Sequence, residues 1–476
     1  MGARLIVPAH ATQRCAGPGF ARASARGSLS ATKAAEAARR GEGTIATAEP
    51  TAAARNLRAD LFALFGEAVR SVSAEVAMPP RLPLSPLGRT AVIAVGKGAA
   101  EMMRVAQARA GGRALEGLVV TRPGHVPAGC GWPGVEIIEA GHPYPNEDSI
   151  RAAHAALELA GSLEAGDRLI VLLSGGGSAL LAAPAEGVTL ADKQALTRAL
   201  LQSGATIEEI NRVRKHLSQI KGGRLAVAAE HAAVTTWIIS DVPGDDPSFV
   251  SSGPTVADAS SLEMAREIVE RYAIAVPASV AAALADPANE TPSADSLGLA
   301  GAETLVIARA RDALAAAGRR AAGLGYQVTD LGDQLQAEAR HLGASHAALS
   351  RRLGKDGARR AIVSGGEATV TVTNPSGRGG RNLEYCLGLA MALDGAPGIW
   401  ALACDTDGID GTEDAAGAIV TPTTLERARA AGLDPARHLA ENNAYLFFEA
   451  LGDLVVTGPT LTNVNDFRAI LIDPSA

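Results

Sequence analysis

Short apolar runs alternate with helical stretches along most of this chain, and many of the runs end in a loop rich in glycine, serine or aspartate. RTAVIAV (from Arg89), EGLVV, VEII, RLIVLL and AVTTWIIS read as five strands. TLVIA, YQVTD, RRAIVSGGEATVTV and IWALACDTDGIDG continue the series, and DLVVTGPTLTNVNDF closes it. Apolar strands in alternation with helices predict an α/β fold whose parallel sheet is covered on both faces. At 476 residues the chain exceeds one ordinary domain. The polar, turn-rich stretch DPANETPSADSLGLAG marks the expected boundary, with units at 51–295 and 296–476.

A first helix is expected from Ala52 to Val72, because Leu57, Leu61, Phe65, Val69 and Val72 recur on one helical face. Asp148 is expected to cap the helix SIRAAHAALELAG. Thr206 and Glu209 have capping-box spacing before INRVRKHLSQI, and Gly222-Gly223 follows its basic end. Residues 1–50 differ from the rest: Glu36, Glu42 and Glu49 are their only acids, and no secretory apolar region occurs. They are expected to be a disordered, dispensable leader.

Several function classes fall away on composition. Lys and Arg total 44 against 51 Asp and Glu, a formal net charge of −7. That balance argues against sequence-independent nucleic-acid binding. No run of 18 apolar residues suggests a membrane span. The four cysteines form no C-x-x-C pair and no zinc-ligand spacing, which fits a reducing, cytoplasmic setting.

The loops carry the candidate chemistry. Gly96-Lys97-Gly98 sits between a strand and a helix and nearly matches the dinucleotide fingerprint. Glu101 replaces its third glycine, and EGLVVTRPG lacks the acid for a ribose hydroxyl, which counts against a nicotinamide site. A lysine at a helix N-terminus opposes the macrodipole unless an anion is bound there, so Lys97 is expected to be exposed in the empty cleft and to meet an anionic ligand. Ser174-Gly175-Gly176-Gly177-Ser178 follows RLIVLL, and such a loop can aim backbone amides at a phosphate or carboxylate. In the basic helix expected over 211–221, Asn211, Lys215 and Ser218 share one face. Asp241, Asp405, Asp407 and Asp410 stand in loops after strands, where carboxylates can hold Mg²⁺ beside phosphate oxygens. The D-x-D-G stretch lacks the twelfth-position Glu of a calcium loop. Gly377-Arg378-Gly379-Gly380-Arg381-Asn382 offers two arginines for bidentate anion recognition. Together these loops describe a site for a phosphorylated ligand with a metal.

The runs AVGKGAAEM, GHPYPNEDS, LLSGGGSALL, INRVRKHLSQIKGGRLA, ISDVPGDDPSFVSSGPT, SGGEATV, GRGGRNLE and ACDTDGIDG, in this order, closely resemble the glycerate 2-kinases of the MOFRL type. Some relatives are labelled hydroxypyruvate reductase. The resemblance runs from about Arg55 to the end of the chain. It implies a larger Rossmann-like N-terminal domain with a mostly parallel sheet and a smaller C-terminal α/β MOFRL domain, with the active site in the cleft between them. It also implies transfer of the ATP γ-phosphate to the 2-hydroxyl of D-glycerate, with Mg²⁺. By resemblance, Lys97, Asp241 and either Arg381 or Arg378 are the catalytic set, with Arg381 in the family's GGRN context. Asp241 would accept the hydroxyl proton or hold Mg²⁺ with Asp405 and Asp407. Gly96, Gly98, Ser174, Gly175, Gly176, Gly177, Ser178 and Lys215 would bind the nucleotide. Leu383 stands where the motif commonly has Gln. The alternative is an NAD(P)-dependent hydroxypyruvate reductase. The expected partners are ATP and D-glycerate, with neither nucleic acid nor membrane, and a homodimer is compatible with this.

Overall fold

The structure, a computed structural model, describes residues 56–127 and 129–475, so the expected leader lies outside the described residues. The first sheet contains β1 (Thr90–Val95), β2 (Glu116–Thr121), β3 (Val135–Glu139), β4 (Arg168–Leu173), β5 (Ala233–Ile239) and β6 (Glu303–Ala308). All its pairings are parallel, in the order β3-β2-β1-β4-β5-β6. This is the doubly wound Rossmann order. β1 is buried along its whole length and β4 in all but its first residue, as strands covered on both faces must be.

The second sheet contains β7 (Gln327–Asp330), β8 (Arg360–Ser364), β9 (Ile399–Asp405), β10 (Gly417–Val420), β11 (Leu454–Val455) and β12 (Asp466–Ile472). Its order is β11-β10-β9-β12-β8-β7. This sheet is mixed: only β7 and β8 run parallel. The cause is β12, which enters between β8 and β9 and runs against both. Every residue of β12 is buried, as a central strand requires.

Spatial units do not follow the linear boundary at 295. β6 lies beyond it and pairs with β5, so sheet membership changes after Ala308. The helix Leu57–Ser71 precedes the first sheet but packs on the second unit. Phe65 meets Phe467 of β12 with ring centroids 5.9 Å apart, and Tyr326 donates to Asp60 at 2.8 Å. One apolar cluster therefore runs through both units. That helix starts at Leu57 because the Asn56 side chain accepts the Ala59 amide.

Two further helix ends differ from expectation or confirm it. Asn146, not Asp148, caps Glu147–Gly161, in a reciprocal pair with Ser149 that leaves Asp148 in the first turn. The Thr206–Glu209 capping box is present, but the helix stops at His216, because Leu217 leaves helical geometry. Among the described residues no helix is long and apolar enough to cross a membrane.

Candidate active site

In the order β3-β2-β1-β4-β5-β6 the direction in which successive strands are added reverses between β1 and β4, and ligands of such sheets bind outside the carboxyl ends of the strands at that point. The loops after these two strands are Gly96-Lys97-Gly98 and Ser174–Ser178. They are packed on each other. The amide of Lys97 donates to the Gly175 carbonyl at 2.9 Å, and that of Gly98 to Ser174 Oγ at 2.9 Å. The Gly96 amide donates to Val120 and the Ser174 amide to Val95. A Cβ on Gly96 would overlap Ser174, which is why that position is glycine with φ +122°. Gly96, Gly98 and Ser174 thus build the loop pair, and their amides are consumed inside it. The amides of Gly175 to Ser178 donate to nothing among the described residues.

Lys97 is not exposed as expected. Its ammonium meets Asp407 of the second unit at 2.5 Å. The anion that the helix terminus calls for is supplied, in this state, by the protein. Burial opposes the Lys97 charge, yet Asp407, Asp405 and Asp241 together hold its pKa above the ordinary lysine value. Burial also works against the Asp407 carboxylate, but Lys97 keeps it ionised, below its usual range. Asp405 is driven the other way, by burial and by the neighbouring Asp407.

Arg381 opens the helix Arg381–Leu393 and is gripped by three carboxylates. It donates to Asp466 at 2.6 Å, Asp405 at 2.8 Å and Glu367 at 3.0 Å. Asp405 and Asp466 are directly opposed in the β9–β12 pairing, which brings both to one guanidinium. Asp410 accepts the amides of Asn382 and Leu383 and so closes the N-terminus of that helix. Arg378 is turned outward, onto Glu413 at 2.5 Å and over the Tyr445 ring. Leu383 points into the apolar core, so the departure from the family's Gln removes no contact in the cleft.

Asp241 follows β5 and lies on the floor of the cleft. Its Oδ2 accepts from Asn463 Nδ2 at 3.0 Å, and its carbonyl accepts from Asn465. A Cβ on Gly175 would overlap both Asp241 and Asn463. Burial, reinforced by Glu367 and opposed by Lys97 and Arg381, pushes the Asp241 carboxyl up to about 6. His142 lies against Gly176, and burial together with Lys97 pushes it down to about 4, so it is neutral at pH 7.

A cavity of 710 Å³ opens between the units. Gly176, Asp241 and Ser251 line it from one side, Glu367, Thr369 and Asn465 from the other. A second hollow of 330 Å³, walled by Val370, Val372 and Arg381, adjoins it at Ala368. Lys215 is not on this wall; it is buried in a 3.1 Å ion pair with Asp258. Ser218 lies past the helix end and pairs with Pro184. Asn463, Asn465, Asp466 and Glu367 were not identified from sequence as site residues. An Asn-x-Asn-Asp run entering a strand was the signal available for three of them. Among the described residues no three His, Cys, Asp or Glu side chains are arranged to hold a metal ion. Asp405 and Asp407 are instead tied to Arg381 and Lys97.

Comparison with known proteins places this arrangement. Residues 60–285 match a domain of unknown function (DUF4147), and residues 360–466 match the MOFRL family. The D-glycerate 2-kinase of Thermotoga maritima is 39% identical over 410 residues, which is 85% of this chain and 96% of that protein. An Agrobacterium vitis protein that bears the provisional name hydroxypyruvate reductase is 50% identical over 415 residues, 86% of this chain and 93% of its own. The crystal structure of the glycerate kinase of Thermotoga maritima superposes with a TM-score of 0.77 at 38% identity, covering 87% of this chain and 99% of that one. With both halves matched in order and the cleft built where the two sheets meet, the chain belongs to the MOFRL-type glycerate 2-kinase family.

Proposed function

We propose that the protein transfers the γ-phosphoryl group of ATP to the 2-hydroxyl of D-glycerate, giving 2-phosphoglycerate and ADP. The observation that carries this reading is the meeting of two cations and a carboxylate from the two units: Lys97 crosses to Asp407, Arg381 is held by Asp405 and Glu367, and Asp241 and Glu367 line the same cavity. Phosphoryl transfer asks for charge neutralisation and positioning more than for covalent chemistry. Asp241 is the base: its pKa near 6 leaves it ionised at neutral pH and still able to take a proton. The Asn463 amide fixes one carboxylate oxygen and leaves the other for the hydroxyl. As the 2-oxygen bonds to the γ-phosphorus, its proton passes to Asp241 and the bridging oxygen departs with ADP. Lys97 leaves Asp407 to meet the transferring group. Arg381 exchanges Glu367, the most exposed of its three partners, for phosphate while Asp405 and Asp466 hold its plane.

Mg²⁺ fits this donor set as an ion held mainly by phosphate and water. Asp405 and Asp407 are hard oxygen donors, and Mg²⁺ needs only one or two carboxylates. When bound, it supplies further neutralisation of phosphate charge. A cytoplasmic setting suits the buried thiols of Cys386 and Cys404. The reductase alternative is disfavoured by the loops themselves. The amides of Gly96, Lys97 and Gly98 all donate within the protein, so none of them faces a dinucleotide pyrophosphate.

A coupled assay for 2-phosphoglycerate with D- and L-glycerate tests the reading. ATP-dependent product from the D-acid, lost in EDTA and restored by Mg²⁺, is expected. Hydroxypyruvate-dependent oxidation of NAD(P)H without kinase activity would overturn it.

A further inference from the structure

Three cations that sequence reasoning did not single out as site residues sit together beside the cleft. Lys193, on the helix Leu190–Gln202, is 5% exposed, and its ammonium has no hydrogen-bond partner. Lys221, just past the basic helix, is 1% exposed, and among the described residues its ammonium reaches only the Ser178 carbonyl, at 2.9 Å. Arg214 lines the 710 Å³ cavity, and its Nε is buried without a partner. The three repel one another: Arg214 bears on both lysines and Lys193 on Lys221. Burial, with Arg214 adding to it, pushes Lys193 down to about 7.

The other buried lysines of the region show how unusual this is. Lys97 has Asp407 and Lys215 has Asp258. No carboxylate pairs with Lys193, Arg214 or Lys221 among the described residues. Burial disfavours the charged form of both lysines, and their cationic neighbours add to that, so neither is well held as a cation until an anion is near. A second observation points the same way. Ser251 lines the same cavity with a buried hydroxyl that has no partner, and its backbone is held at φ +52°. The surrounding structure holds that backbone in place, and it leaves the hydroxyl unsatisfied at the cavity wall. Ser251 abuts Gly177, one residue from the Ser178 carbonyl that holds Lys221 and two from Gly175, which abuts Asp241. One short loop, Gly175 to Ser178, therefore touches the proposed base at one end and Lys221 at the other.

We propose that Lys193, Arg214 and Lys221, with the Ser251 hydroxyl, form a binding site for an anionic group of the ligand: the carboxylate of the hydroxy acid or a phosphate of the nucleotide. The counter-charge that would hold the lysines protonated arrives with the ligand. This rests on the cleft being the substrate site, and the test reads binding rather than turnover, so it stands whether or not the kinase reading holds.

The full chain, Lys193→Met and Arg214→Gln are titrated by calorimetry with sodium sulfate, D-glycerate and ATP, and melted with and without sulfate. Sulfate is expected to stabilise the parent and to lose most of its effect in both variants. Ligand-free Lys193→Met is expected to melt higher than the parent, because a buried amine without a hydrogen-bond partner becomes an apolar chain of similar length. A fall of about tenfold or more in D-glycerate affinity, with ATP unchanged, assigns the carboxylate. The same fall for ATP, with D-glycerate unchanged, assigns a phosphate. Affinities for all three ligands within twofold of the parent in Arg214→Gln, whose side chain is on the cavity wall, would overturn the proposal.

Discussion

Asp241 and Lys97 are the two residues whose surroundings say most about chemistry. The Asp241 carboxyl is raised to about 6, so it holds its proton below that pH and is available as a base above it. kcat/KM should therefore rise with pH through about 6, and Asp241→Asn should abolish that limb and cut kcat roughly a hundredfold or more. A flat profile in the parent, or near-normal turnover in the variant, would remove Asp241 from the reaction. For Lys97 the ion pair with Asp407 adds a structural consequence. Lys97→Ala should lower kcat about a hundredfold, the scale of losing one contact to developing charge. It should also destabilise the protein, by about 3 kcal/mol, because Asp407 is left buried and unpaired. Asp407→Asn added to Lys97→Ala should recover much of the melting temperature and none of the turnover. Recovery of both would mean that the pair serves only to hold the units together.

At the scale of elements, the glycines after β4 are best explained by what lies against them. Gly175 is the place where Asp241 and Asn463 come down onto the loop, and a methyl group there has no room. Gly175→Ala should displace the Asp241 carboxylate and lower kcat on the order of tenfold to a hundredfold, since an ångström of misplacement is enough for that loss. Unchanged kcat would mean that the carboxylate position is not critical. The loops of the first sheet were legible because strand, glycine turn and helix are local patterns: Lys97, Ser174–Ser178 and Asp241 all emerged from them. The residues that were missed are brought in by pairing between distant segments. Asn463 and Asp466 reach the cleft only because β12 inserts antiparallel between β8 and β9, and no local periodicity encodes that register. Arg378 and Arg381 could not be separated by spacing alone. Their difference is that Arg381 is the first residue of a helix and meets three carboxylates, whereas Arg378 faces Glu413. Lys215 and Ser218 were aligned by extending helical spacing one turn too far, past the end at His216.

At the scale of the molecule, the two sheets are held together by a segment from outside both. The helix Leu57–Ser71 buries Leu57, Leu61, Leu64 and Phe65, and Phe65 meets Phe467 of the second sheet. Arg58 adds an ion pair with Asp453 at 3.1 Å, and Thr462 donates to the Val72 carbonyl at 2.8 Å. From Leu57 onward the chain therefore packs first on the second unit, builds the first, and returns to complete the second. Two expectations about truncation follow from this. Removing residues 1–48 keeps the helix and its Asn56 cap, so melting temperature and activity should be nearly unchanged. A fragment of residues 296–476 should not fold alone, although its linear boundary resembles a domain boundary. It carries β6, which is left without β5, and it exposes the apolar face against which the N-terminal helix packs. A substitution isolates the same contact within the whole chain: Phe65→Ala should cost about 3–5 kcal/mol, the range for emptying a buried aromatic site. If the units are thermodynamically one body, that loss lowers a single melting transition that calorimetry and near-UV dichroism report alike. If the helix instead stabilises the second unit alone, Phe65→Ala splits the transition and leaves the first unit melting at its original temperature. The single core cluster that runs through β1, β4, β9 and β12 favours the former.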